Sequence, residues 1–200
     1  MAEGKPIDWY ALYGAGRDGR LMELLVKLSP ERWAERCKDG TTILHYACMG
    51  PNMAAAAMLL QSGLVVDTRD LSGWTSAHWA ATYTQPRVLE VLCAAGADLR
   101  VRTRDGNAPI NYALGNANAD GGETVRVLVA NGVRLSTVRE SCRKYITPKL
   151  VEFEHGVLRC RAAVVALLRV KKAGSLWRWD KFLLKEVAYA VWATRYDHFS

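Results

Sequence analysis

No run in this chain approaches the ~20 apolar residues needed to cross a bilayer. The most apolar runs, "MAAAAMLL" and "AAVVALL", are eight and seven residues long, the length of buried helical segments. The opening "MAEGKPIDWY" lacks the apolar stretch of an export signal. No membrane association is expected, and an intracellular setting, cytoplasmic or nuclear, is. The five cysteines, at 37, 48, 93, 142 and 160, are odd in number and form no C-x-x-C. Reduced thiols fit that pattern better than a disulfide framework. The four histidines, at 45, 78, 155 and 198, stand far from any paired cysteines, which argues against a zinc site. There is no H-E-x-x-H, no G-x-S-x-G, no Walker loop and no pair of carboxylates on one clear face. The expectation is therefore no enzyme, no catalytic residue, no metal and no cofactor.

One motif stands against that expectation. In "YALYGAGRDGRLMELL", Gly14, Gly16 and Gly19 spell G-x-G-x-x-G. Asp39 follows 20 residues after Gly19, where an acid for a ribose hydroxyl would be sought. A dinucleotide loop also needs a strand before it, a helix after it and a βαβ unit around it.

Charge is unevenly spread. Residues 1–133 hold 13 Lys/Arg and 14 Asp/Glu; residues 134–200 hold 14 and 6. The net +7 thus comes wholly from the last third, which points to two regions with different roles.

Self-similarity organises the rest. "DGTTILHYA" from Asp39, "SGWTSAHWA" from Ser72 and "DGNAPINYA" from Asp105 align. Gly40, Gly73 and Gly106 are 33 residues apart, as are Ala47, Ala80 and Ala113. His45 and His78 recur at the same step, with Asn111 in the third place. A second marker, Gly63 and Gly96, keeps the period; Gly132 comes 36 residues later. The extra residues fall in "GNANADGG", 115–122, between two helices. Asp-Gly and Ser-Gly are turn pairs suited to hairpin tips. Thr42 and Thr75 are placed to cap helices, and Pro109 suits a first helical turn. Second helices show apolar helical spacing at Ala54, Met58 and Leu59, at Val88, Val91 and Leu92, and at Val125, Leu128 and Val129.

These letters resemble the ankyrin repeat, whose pattern D-x-G-x-T-P-L-H-x-A-A runs through all three segments. Its closing G-A-D stands at Gly96, Ala97 and Asp98. The resemblance covers about residues 9–139. It implies an all-α solenoid of about four repeats with short β-hairpin tips. The first repeat, at the chain's start, is degenerate, as an end repeat facing water must be. It also implies that His45 and His78 are structural. In that register Gly14, Gly16 and Gly19 read as slim packing and a helix break.

Residues 140–200 read as a separate basic helical module. "ITPKL" from Ile146 has Thr147 as a cap and Pro148 at the first helical position. A helix follows to about Val170, Gly174 breaks the pattern, and a last helix is expected from Asp180 to Arg195. The block from Cys160 to Arg195 resembles the tails of ankyrin proteins of large nucleocytoplasmic DNA viruses. That resemblance implies a host-interaction role in an infected cell. An elongin-binding box, as in related adaptors, would need Leu where Gly156 stands, so no ligase-binding residue is assigned. The tail reads as a cap, as a docking module, or as a nucleic-acid or anionic-surface binder with Lys171, Lys172, Trp177, Arg178 and Trp179 mixing cations and rings.

Repeat arrays of this kind bind proteins with their tips and first helices. Tip positions nominate Lys38, Asp39 and Thr41; Arg69, Leu71 and Trp74; and Arg102, Arg104, Asp105 and Asn107. First-helix positions nominate Met49, Thr82, Tyr83 and Asn116. Arg100, Arg102 and Arg104 alternate and should point one way. Trp74 and Tyr83 lead, because large aromatics dominate interface energy; packing of Trp74 on its neighbouring tip is the competing reading. The expected function is a monomeric, non-enzymatic scaffold or adaptor binding another protein. Nucleic-acid binding through the basic tail is the alternative.

Overall fold

Thr42 and Thr75 each end an extended stretch and begin a helix, with ψ of 168° and 169°. Each threonine hydroxyl accepts the backbone N–H three residues on, and the histidine there reaches back to the threonine's own N–H. Two of the N–H groups that a helix start leaves unpaired are thereby satisfied. In the third repeat Asn111 does the same work, its Oδ1 accepting the Ala108 N–H at 3.0 Å. Pro109 occupies the first turn of its helix as expected.

The computed structural model describes residues 6–116 and 122–172. Helices pair along the chain: α1 (Trp9–Arg17) with α2 (Leu21–Leu25), α3 (Ile43–Ala47) with α4 (Met53–Gln61), α5 (Ser76–Thr82) with α6 (Pro86–Ala94), and α7 (Pro109–Asn116) with α8 (Gly122–Ala130). The first helices touch in succession, α1 to α3 to α5 to α7, and so do the second helices, α2 to α4 to α6 to α8. The result is two stacked helical layers. Ala47, Ala80 and Ala113 are at most 1% exposed; a larger side chain there would push neighbouring helices apart. Leu59, Val88, Leu92, Val125, Leu128 and Val129 face the interior as expected. Ala54 does not: it is exposed, and Ala55 and Ala56 take the buried places. Leu44, Leu89, Leu92 and Leu114 are also shut away from water, each contributing about 1.5–3 kcal/mol of apolar burial.

The expected β-hairpin tips are corrected. Among the described residues no strand forms; the tips hold one isolated antiparallel bridge, Arg36 to Thr42. Each tip instead closes on two bonds. The N–H groups of Cys37, Asp70 and Thr103 donate to the carbonyls of Thr41, Trp74 and Asn107, at 2.8, 3.0 and 2.9 Å. Gly40, Gly73 and Gly106 then donate back to Cys37, Asp70 and Thr103, each at 2.9 Å. No ladder continues beyond these bonds among the described residues. Gly40 (φ 81°) and Gly73 (φ 79°) lie in the left-handed region, and a Cβ on either would sit 3.2 Å from the next tip's backbone nitrogen. Glycine is required twice over at both positions.

The glycine fingerprint falls inside α1. Gly14 and Gly16 are helical, no strand precedes them among the described residues, and a Cβ on Gly16 would sit 2.5 Å from the Tyr46 carbonyl oxygen. Gly19 turns the chain at φ 76°. Gly16 is thus a packing glycine and Gly19 a turn glycine, while a Cβ on Gly14 would meet nothing within 4 Å; the three do not form a dinucleotide loop.

The first compact unit runs to Ile146, beyond the boundary expected after 139, and takes in the short α9 (Glu140–Arg143), which contacts α7. From Thr147 a second unit begins with α10 (Pro148–Lys172). Thr147 Oγ1 accepts the Leu150 N–H at 3.3 Å, the cap expected there. At 25 residues, α10 shows no helix–turn–helix break and runs to about the end expected for it. The expected helix at 180–195 and the Trp177–Trp179 cluster lie outside the described residues. Among those described, no helix is long and apolar enough to cross a membrane, and no three His, Cys, Asp or Glu residues gather as metal ligands.

Candidate functional site

The tips are zipped to one another by a bond repeated at the sequence period. Leu71 N–H donates to the Asp39 carbonyl at 2.8 Å, and Arg104 N–H to the Ser72 carbonyl at 3.1 Å. The third tip has no successor. There Arg139 from beyond the array donates Nη1 to the Asp105 carbonyl and to Asn107 Oδ1, both at 2.9 Å. A guanidinium thus supplies the donors that a next tip would bring.

The histidines bind the same joints from inside. Thr42 and Thr75 donate their N–H to Nδ1 of His45 and His78, both at 3.1 Å. An accepting Nδ1 places the ring proton on Nε2. Nε2–H then donates to the next repeat's carbonyl: His45 to Trp74 at 3.3 Å, His78 to Asn107 at 3.1 Å. Both rings are fully buried. Burial, outweighing these carbonyl bonds, lowers His45 and brings His78 to about 4. They are neutral structural pins, as the resemblance implied.

A second ladder runs outside. Arg36 Nη1 donates to the Arg69 carbonyl at 3.4 Å, and Arg69 Nη2 donates to the Arg102 carbonyl. Arg102, last in the row, folds onto the Gly106 carbonyl at 2.8 Å. Residues 100–104 are irregular rather than a strand, so strand alternation does not set the aim of Arg100, Arg102 and Arg104.

Rings fill the side of the first helices. Tyr13 meets Tyr46 at 6.1 Å and Tyr46 meets Trp79 at 6.2 Å, both edge to face. Trp9 leans on Tyr46 at 6.2 Å. Trp79 stacks on Tyr83 at 6.1 Å and meets Trp74 at 6.2 Å. Trp74 lies 4.4 Å from Tyr112. Such pairs contribute about 0.5–1.5 kcal/mol each beyond area burial. Tyr13, Tyr46, Trp79 and Tyr112 are spaced by 33 throughout. Tyr46 is buried, while Trp9, Tyr13, Trp74, Trp79, Tyr83 and Tyr112 are half-buried. Burial raises the phenols of Tyr46 and Tyr83, which stay neutral donors.

Of the nominated residues, Lys38, Leu71 and Arg104 are exposed in one register, and Arg69 and Arg102 are exposed with donors engaged on backbone. Trp74 and Tyr83 join through Trp79 into one ring cluster, so Trp74 both packs on its neighbour and keeps part of its surface. Thr82 and Asn116 meet, with Asn116 Nδ2 donating to the Thr82 carbonyl at 2.7 Å. Asn107 is half-buried and tied to Arg139. Two nominations are corrected. Thr41 is 1% and Met49 3% exposed. Residues 41–50 are all buried because α3 is flanked by α1 and α5, and α3 stops at Ala47, before Met49 reaches the surface.

Tyr46, Trp79 and Tyr112 were missed as a set, although each follows the His or Asn of its repeat in the sequence. Asn52 was missed too. It is 4% exposed and spans two repeats, donating to the Gly16 carbonyl at 2.6 Å and accepting the Leu21 N–H at 3.3 Å.

A hollow of about 210 Å³ is lined by Cys93, Asp98, Arg100 and Asn131 among others, but burial and Glu90 push the Cys93 thiol up to about 11. It stays protonated at neutral pH, and the thiolate is the reactive form.

Paired helices in two layers, tips zipped by repeated bonds and buried histidine pins define an α-solenoid repeat protein. Residues 9–103, just under half of the chain, match the family Ankyrin repeats (3 copies). The pair α7–α8 continues the same stacking beyond the matched stretch. The chain is 41% identical over 61 residues to calmodulin-binding transcription activator 3 of Arabidopsis thaliana, covering 30% of this chain and 6% of that protein. It is 27% identical over 123 residues to inversin of Canis lupus familiaris, covering 60% and 11%. It is 31% identical over 71 residues to protein phosphatase 1 regulatory subunit 27 of Homo sapiens, covering 36% and 46%. The chain spans less than half the length of each of these relatives.

Proposed function

We propose that this chain is a non-enzymatic interaction scaffold or adaptor that binds a partner protein through its tips and the aromatic side of its first helices. The observation that carries the reading is the ring row Trp9, Tyr13, Tyr46, Trp79 and Tyr83, half-buried for the most part and continued by Trp74 and Tyr112. Six half-buried rings on one side are rigid, amphipathic contact surface of the kind enriched in interfaces. A relative whose name is that of a phosphatase regulatory subunit supports a binding rather than a catalytic role. The array works as a monomer inside the cell. The narrower form, a viral host-interaction protein, rests on the tail resemblance alone.

Affinity capture with the full chain tests the reading against two variants, Trp74→Ala/Tyr83→Ala and Trp79→Ala. Loss of the same partners from both is expected. Partners that survive both substitutions refute a ring-face interface. A second reading, nucleic-acid binding by the tail, is favoured by 14 Lys/Arg against 6 Asp/Glu in residues 134–200. It requires binding that falls steeply with salt; no affinity for an oligonucleotide at low salt removes it.

A further inference from the structure

The tips present a row that the ring face does not include. Lys38, Leu71 and Arg104 occupy the same place in three consecutive tips, 33 residues apart, and the zipper from Asp39 through Leu71 and Ser72 to Arg104 fixes those tips side by side. All three side chains are exposed, Leu71 at 57%. The row reads cation, apolar, cation. Beside it runs the row Arg36, Arg69 and Arg102, also exposed and cationic. The tips also carry three acids, Asp39, Asp70 and Asp105, against the five cations of the two rows, and none of the three forms an ion pair with those cations among the described residues. Asp39 Oδ1 turns in to the Thr41 N–H at 2.9 Å, and Asp70 Oδ1 takes the N–H groups of Ser72 and Trp74, both at 2.9 Å.

We infer that this row docks an acidic, extended segment of a partner protein, with an apolar residue midway between two acidic ones. The inference rests on the protein-binding reading and specifies its partner. Stacked helices lie about 8–10 Å apart, and an extended chain rises about 3.3 Å per residue. One repeat therefore corresponds to about three residues of the partner. The matching segment is acid-x-x-apolar-x-x-acid, its acids over Lys38 and Arg104 and its apolar side chain on Leu71. A nucleic-acid backbone matches the outer cations but offers nothing to Leu71.

The probe is a fluorescein-labelled peptide, Glu-Ser-Thr-Leu-Ser-Thr-Glu, read by anisotropy against the full-length chain at low salt. Binding is expected to weaken about tenfold in Lys38→Glu/Arg104→Glu, as two exposed ion pairs turn repulsive. The peptide Lys-Ser-Thr-Leu-Ser-Thr-Lys is expected to bind that variant better than the parent. Leu71→Asp is expected to weaken the acidic peptide with melting unchanged, since all three positions are surface sites. Three results each overturn the inference: no binding of the acidic peptide, equal binding of a scrambled peptide with Leu at one end, or a single-stranded oligonucleotide binding as tightly as the peptide. Partners captured by the parent and lost with Trp79→Ala, but kept by Lys38→Glu/Arg104→Glu, leave the ring-face reading standing while this one falls.

Discussion

Mild acid should unfold this array through its two pinned histidines. His78 has a folded value of about 4 against about 6.5 for a free histidine. Burial, the cause, penalises the charged ring, and protonated Nδ1 would also face the Thr75 N–H it now accepts. Between pH 6.5 and about 4 the unfolded chain therefore binds a proton that the folded chain refuses. The stability is present above pH 6.5 and is lost as pH falls through that window, at about 1.4 kcal/mol per pH unit for each such histidine. Over the whole window His78 alone accounts for a loss on the order of 3 kcal/mol, a large part of the ~5–15 kcal/mol typical of a domain. His45 is lowered by the same cause and steepens the slope. Burial works against the Asp39 carboxylate, but the Thr41 N–H and its other hydrogen bonds hold it below the usual range, so it titrates below the pH 5–7 window. The control is built into the chain, because Asn111 holds the equivalent N–H without titrating. Urea midpoints from circular dichroism at pH 7, 6 and 5 should fall steeply in the parent and flatten in His45→Asn/His78→Asn. An equally steep fall in that variant would refute the reasoning.

Asn52→Ala should cost about 2–3 kcal/mol, because it strips partners from the buried Gly16 carbonyl and Leu21 N–H; chemical denaturation measures it. Gly16→Ala should destabilise by about 1–3 kcal/mol, since the new methyl meets the Tyr46 carbonyl, and a neutral or stabilising effect would mean that α1 packs less tightly on α3. Adding NAD or NADP should leave the melting temperature unchanged; a rise that grows with ligand concentration would restore the cofactor reading.

The turn, cap and slim-helix positions were legible because each is set by local chemistry. Gly40 and Gly73 need left-handed backbone, Thr42 and Thr75 need to cap, and Ala47 and Ala80 need to be small. Where a choice depended on what lies across the stack, sequence reasoning went astray. Thr41 and Met49 sit in surface register, yet α1 and α5 enclose them. Ala54 and Ala55 are the same residue type, and only the rotation of α4 against its neighbours puts one outside and the other inside. Asn52 looks like an ordinary turn residue until Gly16, 36 residues earlier, is seen to be its acceptor.

The sequence by itself determined the period, the helix starts and the places where the chain turns, because φ/ψ preferences and capping act over three or four residues. Tertiary structure alone decided which side chains are shared between repeats. A buried histidine becomes a pin only when the next repeat's carbonyl stands opposite its Nε2. Tyr46, Trp79 and Tyr112 become one face only when stacking brings residues 33 apart within ring contact. The row of Lys38, Leu71 and Arg104 exists for the same reason: the tips are zipped side by side, and distance in the chain no longer measures distance in space.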